Sequence, residues 1–228
     1  MKTILLTGAC TGIGSAIYNK LKQKKAYRFV VLGRKKPEGM SFVKTENEWF
    51  IPVDLADVEQ TEQKLRLVRE HPGFGEIDII INNAGQGYFS KIEDIETEMW
   101  LKIINLNLTA TYATIKTFLP NMKRQNYGRI INISSDADHT GFPDGGAYCA
   151  SKFGVLGLSE AVRKEIIGQN ITITVISPGR VDTCFNGKKP GDRPLSLKPE
   201  DVAQQVEHVL ALRDNCNVET IRLKSTLE

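Results

Sequence analysis

The sequence is poor in the residues that disulfide-rich and zinc-binding domains need. It has only four cysteines and three histidines among 228 residues, with no Cys-x-x-Cys pair and no cysteine at metal-ligand spacing from a histidine. We therefore expect no metal site and four reduced thiols, at Cys10, Cys149, Cys184 and Cys216. Reduced cysteines are typical of the cytoplasm, and we predict that location.

The sequence also has no long apolar stretch and only a small excess of positive over negative charge. No run approaches the roughly 18 apolar residues of a membrane-spanning helix. The N-terminal MKTILLTG is too short in its apolar part for a secretion signal and is predicted to be a first strand. The formal net charge is +3, without a dense basic stripe. Neither a membrane nor nucleic acid is therefore expected as a partner.

Short β-rich runs alternate with longer helical patterns along the chain. The alternation predicts an α/β protein in which residues 1–228 form a single domain: a doubly wound Rossmann-type fold, with a seven-stranded, mostly parallel sheet and about six helices on both faces. The run IDIIINNAG at 77–85 is nearly continuous in apolar residues, as in a strand covered on both faces. A long helix is predicted over 96–124. A loop rich in glycine and proline is predicted over 184–199, on the substrate side of the sheet.

The segment TGACTGIG, residues 7–14, has three glycines between the first strand and the first helix. Glycine permits positive φ and lets the backbone approach a pyrophosphate closely. The N-terminus of the following helix offers unpaired N–H groups and a positive dipole end to phosphates. A plain strand–helix turn is the alternative, but the strand before and the helix after are the context that a phosphate-binding loop requires.

Tyr148 and Lys152 are four residues apart in a predicted helix and therefore lie on one face of it. If that face lines a cleft, the ammonium favours the phenolate form of the tyrosine, and Tyr148 is poised to exchange a proton with a substrate oxygen. The alternative is an exposed aromatic ring beside a solvated lysine.

Together with other motifs, this pair resembles the short-chain dehydrogenase/reductase family. TGxxxGxG is followed by NNAG at 82–85, by Asn107 in a helix, by Ser135 thirteen residues before the tyrosine, by YxxxK, and by SPGRVDT at 177–183. The resemblance extends over nearly the whole chain. It implies an NAD(P)-binding oxidoreductase that transfers a hydride between nicotinamide and a small carbonyl or secondary alcohol substrate, and that assembles as a homodimer or homotetramer.

The resemblance also implies a role for each catalytic residue. Tyr148 is expected to be the general acid in carbonyl reduction and the base in alcohol oxidation. Lys152 is expected to bind the nicotinamide ribose and to lower the pKa of Tyr148, and Ser135 to bind the substrate oxygen. Asn107 is expected to hold a helix distortion and a water that links Lys152 to solvent. A strand-end serine and a helix-bending asparagine are the structural alternatives.

The expected cofactor site combines the phosphate loop, the ends of the second, third and fourth strands, the YxxxK pair and the segment after the sixth strand. Its members are Gly8, Thr11, Gly12, Ile13, Gly14, Arg34, Asp54, Leu55, Asn83, Ala84, Gly85, Tyr148, Lys152, Pro178, Gly179, Val181 and Thr183.

The end of the second strand, VLGRKK at 31–36, lacks the carboxylate with which NAD-binding proteins hold the ribose hydroxyls. Gly33 stands at that position, and Arg34 after it can grip a 2′-phosphate bidentately. We therefore predict NADP(H) in preference to NAD(H), the alternative being a solvated basic turn. The family resemblance implies that Asp54 contacts the adenine amino group, and its alternative role is to cap the next helix.

Two segments on the expected substrate side are rich in charge. One contains Asp136, Asp138, His139 and Asp144, and the loop after Thr183 contains Lys188, Lys189 and Arg193. We interpret both sets as solvated loop charges, so they do not name a substrate. A non-catalytic dinucleotide-binding sensor or scaffold of the same fold is the alternative function. The presence of the tyrosine, the lysine and the serine favours an enzyme.

Overall fold

A computed structural model describes residues 1–40 and 43–227, so positions 41, 42 and 228 of the predicted domain lie outside the described residues. The strands are β1 (Lys2–Thr7), β2 (Tyr27–Gly33), β3 (Glu48–Pro52), β4 (Ile79–Asn82), β5 (Gly128–Ile133), β6 (Ile171–Pro178) and β7 (Thr220–Leu223). The α-helices are α1 (Gly12–Gln23), α2 (Val58–Glu70), α3 (Thr97–Ile104), α4 (Ala110–Gln125), α5 (Gly146–Glu165) and α6 (Pro199–Leu210).

The strands form one sheet in the order β3-β2-β1-β4-β5-β6-β7, and all neighbouring strands pair in parallel. The chain builds outward from β1 to β3, then crosses back to place β4 on the other side of β1. This reversal opens a crevice between the carboxyl ends of β1 and β4, the position at which open α/β sheets bind ligands. The predicted doubly wound Rossmann-type fold is confirmed.

Alternate residues of β1 enter two separate cores, because successive side chains of a strand point to opposite faces. Leu5 packs with residues of α2, α4 and α5 on one face. Ile4 and Leu6 pack with residues of α1 and α6 on the other. All three side chains are fully buried. The sheet is therefore covered on both faces, and its carboxyl edge is left for the site.

Several element boundaries differ from those that the sequence predicts. β4 ends at Asn82 rather than at 85, because the next residues turn away to bond with the loop after β1. The predicted helix over 96–124 is interrupted by a π-helical turn, Asn105–Thr109, between α3 and α4. Pro199 begins α6 instead of ending the preceding loop, since proline has no N–H to lose at the first helical position.

The described part of the chain shows no helix that is both long and apolar enough to cross a bilayer. Over the same residues, no cluster of three or more His, Cys, Asp or Glu side chains is arranged to hold a metal ion. All four cysteines are free thiols.

Candidate active site

One cleft opens at the carboxyl ends of the strands. Its volume is about 1720 Å³, larger than the roughly 300–1,000 Å³ of pockets that hold one drug-sized molecule. It therefore has room for a dinucleotide and a second molecule. Asn107 is buried outside the lining, whereas the other predicted residues all line the cleft: Gly8, Thr11, Gly12, Ile13, Gly14, Arg34, Asp54, Leu55, Asn83, Ala84, Gly85, Ser135, Tyr148, Lys152, Pro178, Gly179, Val181 and Thr183.

The loop after β1 has the backbone that its glycines predict. Gly8 and Gly12 have φ of +70° and +55°, values that residues with a Cβ rarely adopt. A Cβ on Gly14 would lie 2.2 Å from the Gly8 carbonyl oxygen. The loop therefore lies directly against the start of α1, whose first N–H groups face the cleft without intrahelical partners. This is a cradle shaped for a phosphate group.

The NNAG segment after β4 holds this loop in place. The Asn83 Nδ2 donates to the carbonyl oxygens of Thr7, at 3.0 Å, and Gly8, at 2.8 Å. In return, the Thr7 Oγ1 accepts hydrogen bonds from the backbone N–H groups of Asn83 and Ala84, at 3.0 Å each. The two sides of the crevice are thus joined by four hydrogen bonds. Thr7 is a positioning residue that the sequence motif contained but that we did not single out.

The end of β2 brings a cation rather than a carboxylate to the cleft. Gly33 is buried at the strand end, and the exposed Arg34 and Lys35 follow it on the cleft wall. Across the described ranges, neither side chain has a hydrogen bond or ion pair to another residue. Lys36 instead donates to the Met40 carbonyl oxygen. Arg34 and Lys35 are therefore the cations of this turn that can meet an anionic ligand.

Asp54 lies on the cleft wall, and the alternative that it caps the next helix is wrong. Its Oδ1 accepts from the Ala56 N–H at 3.0 Å within a tight turn. The helix α2 is capped by Asp57, whose carboxylate accepts from the Gln60 N–H. One carboxylate oxygen of Asp54 therefore remains for a ligand.

Ser135, Tyr148 and Lys152 converge at the centre of the cleft. Ser135 follows β5, while the other two occupy successive turns of α5 on the same face. All three are buried, at 8%, 7% and 4% exposure. The Lys152 Nζ donates to the Ile133 carbonyl oxygen at 3.1 Å and lies 5.8 Å from the centroid of the Tyr148 ring. The interpretation of the pair as exposed surface residues is therefore excluded.

The pKa of Tyr148 shifts in the opposite direction from the one that the sequence predicts. Burial raises it to about 12, and the hydrogen bond with Ser135 lowers it only in part. The nearby carboxylate of Asp136 adds to the rise. The phenol is therefore protonated at neutral pH. Spacing along a helix shows that the lysine is near, but it does not reveal the desolvation that dominates the shift of the Tyr148 pKa.

Lys152 is also shifted by burial. Loss of solvation lowers the pKa of its ammonium to about 8, although the charge of Asp138 opposes the shift. The side chain is therefore mostly charged at neutral pH and becomes neutral under mildly alkaline conditions. A buried lysine of this kind is common at functional sites.

Asn107 lies in the π-helical turn and joins three parts of the structure. Its Oδ1 accepts from the Gln86 N–H at 2.9 Å, and its Nδ2 donates to the Gln86 carbonyl oxygen at 3.0 Å and to the Ser151 Oγ at 2.9 Å. A Cβ on Gly85 would lie 3.3 Å from this Oδ1 and 3.6 Å from the Lys152 Nζ. The helix distortion thus brings the amide to the back of the lysine site.

The segment after Ser135 is less solvated than we predict from its charge. Asp138 is 1% exposed; its carboxylate accepts from the Ser177 hydroxyl and lies 2.7 Å from the His139 Nδ1. The interpretation of Asp138 as a solvated loop charge is therefore wrong. Asp144 is exposed, as are Lys188 and Lys189, in agreement with the prediction.

Three phenylalanines that the sequence motifs do not include form a row of ring contacts with Tyr148. Phe89 and Phe185 have ring centroids 5.8 Å from that of Tyr148, and Phe142 lies 5.5 Å from Phe89. Phe89 and Phe142 stand in loops and Phe185 in a short 3-10 turn, where helical or strand periodicity carries no information about position. The feature that could have identified them from the sequence is the presence of large aromatic residues in otherwise polar segments.

Comparisons with known proteins agree with this geometry. The family model described as short chain dehydrogenase matches residues 2–193. An uncharacterized oxidoreductase of Staphylococcus aureus is 31% identical over 227 residues, which cover 98% of this chain and 96% of that protein. A 3-oxoacyl-acyl-carrier-protein reductase of Haemophilus influenzae is 35% identical over 183 residues, 80% of this chain and 75% of that one.

Among solved structures, an alcohol dehydrogenase from the archaeon Thermococcus sibiricus, complexed with 5-hydroxy-NADP, superposes with a TM-score of 0.86. It is 28% identical, and the match covers 100% of this chain and 98% of that one. The fold, the convergent cleft and these matches lead to one conclusion: the chain is an oxidoreductase that belongs to the short-chain dehydrogenase/reductase family.

Proposed function

We propose that this protein is an NADP(H)-dependent oxidoreductase that interconverts a carbonyl compound and its alcohol. The observation that carries the proposal is the convergence of Ser135, Tyr148 and Lys152, all buried, in the same cleft as the glycine loop. Structural alternatives exist for each residue alone, but they do not explain why all three meet beside a phosphate cradle. The convergence likewise favours an enzyme over a dinucleotide-binding sensor or scaffold.

The described residues fit a nicotinamide dinucleotide. Gly8, Gly12 and the start of α1 would hold the pyrophosphate, Asp54 the adenine, and Lys152 the nicotinamide ribose. The chemistry that the nicotinamide supplies when bound is hydride transfer. The segment from Pro178 to Thr183 closes the other side of the cleft, where a Cβ on Gly12 would lie 3.2 Å from the Thr183 Cγ2.

The side chains provide the proton and hold the reacting oxygen. In carbonyl reduction, the Tyr148 Oη donates its proton to the substrate oxygen, and its raised pKa ensures that this proton is present at neutral pH. The Ser135 hydroxyl donates to the same oxygen and stabilises its developing negative charge. The positive charge of Lys152 stabilises the phenolate that remains. Asn107 positions the lysine site through Gln86 and Ser151.

The proposed preference for NADP(H) is supported by the turn after β2. Arg34 and Lys35 bring two positive charges to the cleft wall, and Gly33 brings no carboxylate. The Thermococcus sibiricus alcohol dehydrogenase, a structural neighbour, is complexed with 5-hydroxy-NADP. Both observations favour a 2′-phosphate as the distinguishing group.

Oxidation of NADPH in the presence of carbonyl compounds is the first test. We expect the purified protein to consume NADPH, followed at its absorbance band, with at least one member of a panel of aldehydes and ketones. The alcohol product should form in equal amount, as measured by chromatography. NADPH binding without turnover across the panel would instead support the sensor or scaffold.

Activity is expected to fall as the pH rises through about 8. The lowered pKa of Lys152 means that its ammonium is lost there, whereas Tyr148 keeps its proton to about pH 12. At saturating carbonyl substrate, kcat/KM for NADPH reports the ionisations of the free enzyme. It should fall about twofold from pH 7 to 8, and the decrease should approach about tenfold per pH unit above pH 9. A constant kcat/KM up to pH 10 would contradict a role for the charged lysine.

We further propose that residues 1–228 act as one domain in the cytoplasm, and that the loop from 184 to 198 forms the substrate side. The four free thiols favour a reducing compartment. Leu101, Tyr112 and Phe153 expose 45–50% of their surface on α3, α4 and α5. Such apolar surface on long helices favours a homodimer or homotetramer, which light scattering would detect.

A further inference from the structure

Two phenyl rings are left half-exposed in the substrate end of the cleft. Phe89 is 41% and Phe142 is 42% exposed, and both belong to the cleft wall. Their centroids are 5.5 Å apart and their planes meet at 73°, the edge-to-face arrangement that aromatic pairs prefer. Covering such exposed apolar surface inside a concavity with an apolar group is favourable, because it removes that surface from water.

One of these two rings, that of Phe89, contacts the phenol of Tyr148. The Phe89 ring meets the Tyr148 ring edge to face at 5.8 Å and 86°. The partly buried Phe185 also packs on Tyr148, with the ring centroids 5.8 Å apart. The Tyr148 ring therefore packs against two phenyl rings, and a substrate whose oxygen reaches its hydroxyl must lie near them.

Two glycines let the rings lie directly against the backbone. A Cβ on Gly145, the residue before α5, would lie 2.5 Å from the Phe142 ring. A Cβ on Gly87 would lie 2.7 Å from the Phe185 ring and 3.1 Å from that of Phe89. A side chain at either position would push a ring into the cleft. The absence of a side chain at these two positions thus lets the rings lie at the cleft wall.

Within the described residues, no cation lies over the faces of these three rings. Over residues 1–40 and 43–227, the cation–π contacts involve other rings, such as Lys152 with Tyr148, and none involves Phe89, Phe142 or Phe185. A carboxylate or phosphate on the substrate would find no partner among these rings. An uncharged, flat group would bury surface against all three.

We propose that the substrate carries an aromatic group on the reacting carbon, and that Phe89, Phe142 and Phe185 bind it. This specificity rests on the function proposed above. In the reaction, the carbonyl carbon would gain a hydride supplied by NADPH, and the Tyr148 Oη would give a proton to the oxygen, which solvent then restores to the tyrosine. The products are the aryl alcohol and NADP⁺.

The test compares acetophenone with 2-butanone, which has the same reacting group without the ring. In wild type, kcat/KM for acetophenone should exceed that for 2-butanone at least tenfold. Phe142→Ala removes a ring that touches the substrate but not Tyr148. It should lower kcat/KM for acetophenone by about tenfold and leave that for 2-butanone within twofold.

Leu67→Ala is the matched control, because it also truncates a half-exposed apolar side chain to alanine. Leu67 is 49% exposed on α2, outside the cleft. It should change neither ketone's kcat/KM. If Phe142→Ala does not fold, Gly145→Ala, which displaces the ring without removing it, takes its place with the same expectation. Equal kcat/KM for the two ketones in wild type, or equal losses in the variant, would overturn the proposed specificity.

Equilibrium binding separates this proposal from the proposed reaction. If neither ketone is reduced, calorimetry with the NADP⁺ complex compares 1-phenylethanol with 2-butanol. Tighter binding of 1-phenylethanol by tenfold or more, lost in Phe142→Ala, would support the aromatic site although the function proposed above had failed for these substrates. Equal affinity for the two alcohols would overturn the aromatic site as well.

Discussion

Tyr148→Phe is expected to lower kcat/KM for carbonyl reduction by about 10²–10⁴-fold, the contribution usually made by a general acid. The substitution removes the hydroxyl that gives the proton and keeps the ring that packs on Phe89 and Phe185. The affinity for NADPH should therefore remain within about twofold of wild type. Steady-state kinetics and fluorescence titration with NADPH measure the two quantities separately.

Tyr112→Phe is the matched control for this experiment. It removes the same hydroxyl group from a tyrosine that is 45% exposed on α4, away from the cleft. Turnover should be unchanged. If Tyr148→Phe retained the wild-type rate, the proton would have to come from another group and the proposed mechanism would be wrong.

The second large effect concerns the choice of cofactor. Wild type should use NADPH with a kcat/KM roughly tenfold to hundredfold above that for NADH, because a charge-assisted contact from Arg34 contributes on the order of 1.5–3 kcal/mol. Gly33→Asp combined with Arg34→Leu should reverse the preference. The aspartate would accept hydrogen bonds from the ribose hydroxyls and repel a 2′-phosphate. A Cβ on Gly33 makes only ordinary contacts, 3.8 Å from the Gly8 Cα.

Gly33→Asn combined with Arg34→Leu isolates the effect of the negative charge, since asparagine has nearly the shape of aspartate. This variant should lose the advantage of NADPH without gaining efficient use of NADH. Added salt should reduce the NADPH advantage of wild type, because Arg34 is exposed and its charge is screened. Equal use of the two cofactors by wild type at low salt would show that the basic turn is only solvated.

The sequence predicts the residues of this cleft well where regular elements carry them. Tyr148 and Lys152 share a face because they are one helical turn apart, and Gly8 and Asn83 meet because parallel strands β1 and β4 are neighbours. Such placements follow from helical and strand geometry, which depends on residues that are close in the sequence. The fold and the positions of the motifs can therefore be predicted from the sequence alone.

Other features depend on contacts between distant segments, and these the sequence did not reveal. Asp138 is buried because Ser177 and His139 offer partners, although its neighbours along the chain resemble an exposed loop. The pKa of Tyr148 rises because the whole cleft wall desolvates it, and no single neighbour in sequence predicts that balance. The rings of Phe89 and Phe142 meet only because two loops fold toward each other.

The π-helical turn Asn105–Thr109 has a consequence for the rotational phase of the helices that it joins. An α-helix advances about 100° around its axis with each residue. A π turn takes up one residue more than an α turn, so it works as a local insertion that offsets everything after it by that angle. The apolar stripes of α3 and α4 therefore have different angular positions on a helical-wheel projection. A single projection drawn through both helices would not show either stripe as one face. Both helices can still present their apolar faces to the protein interior, and the extra residue is what turns the Asn107 amide inward toward Gln86.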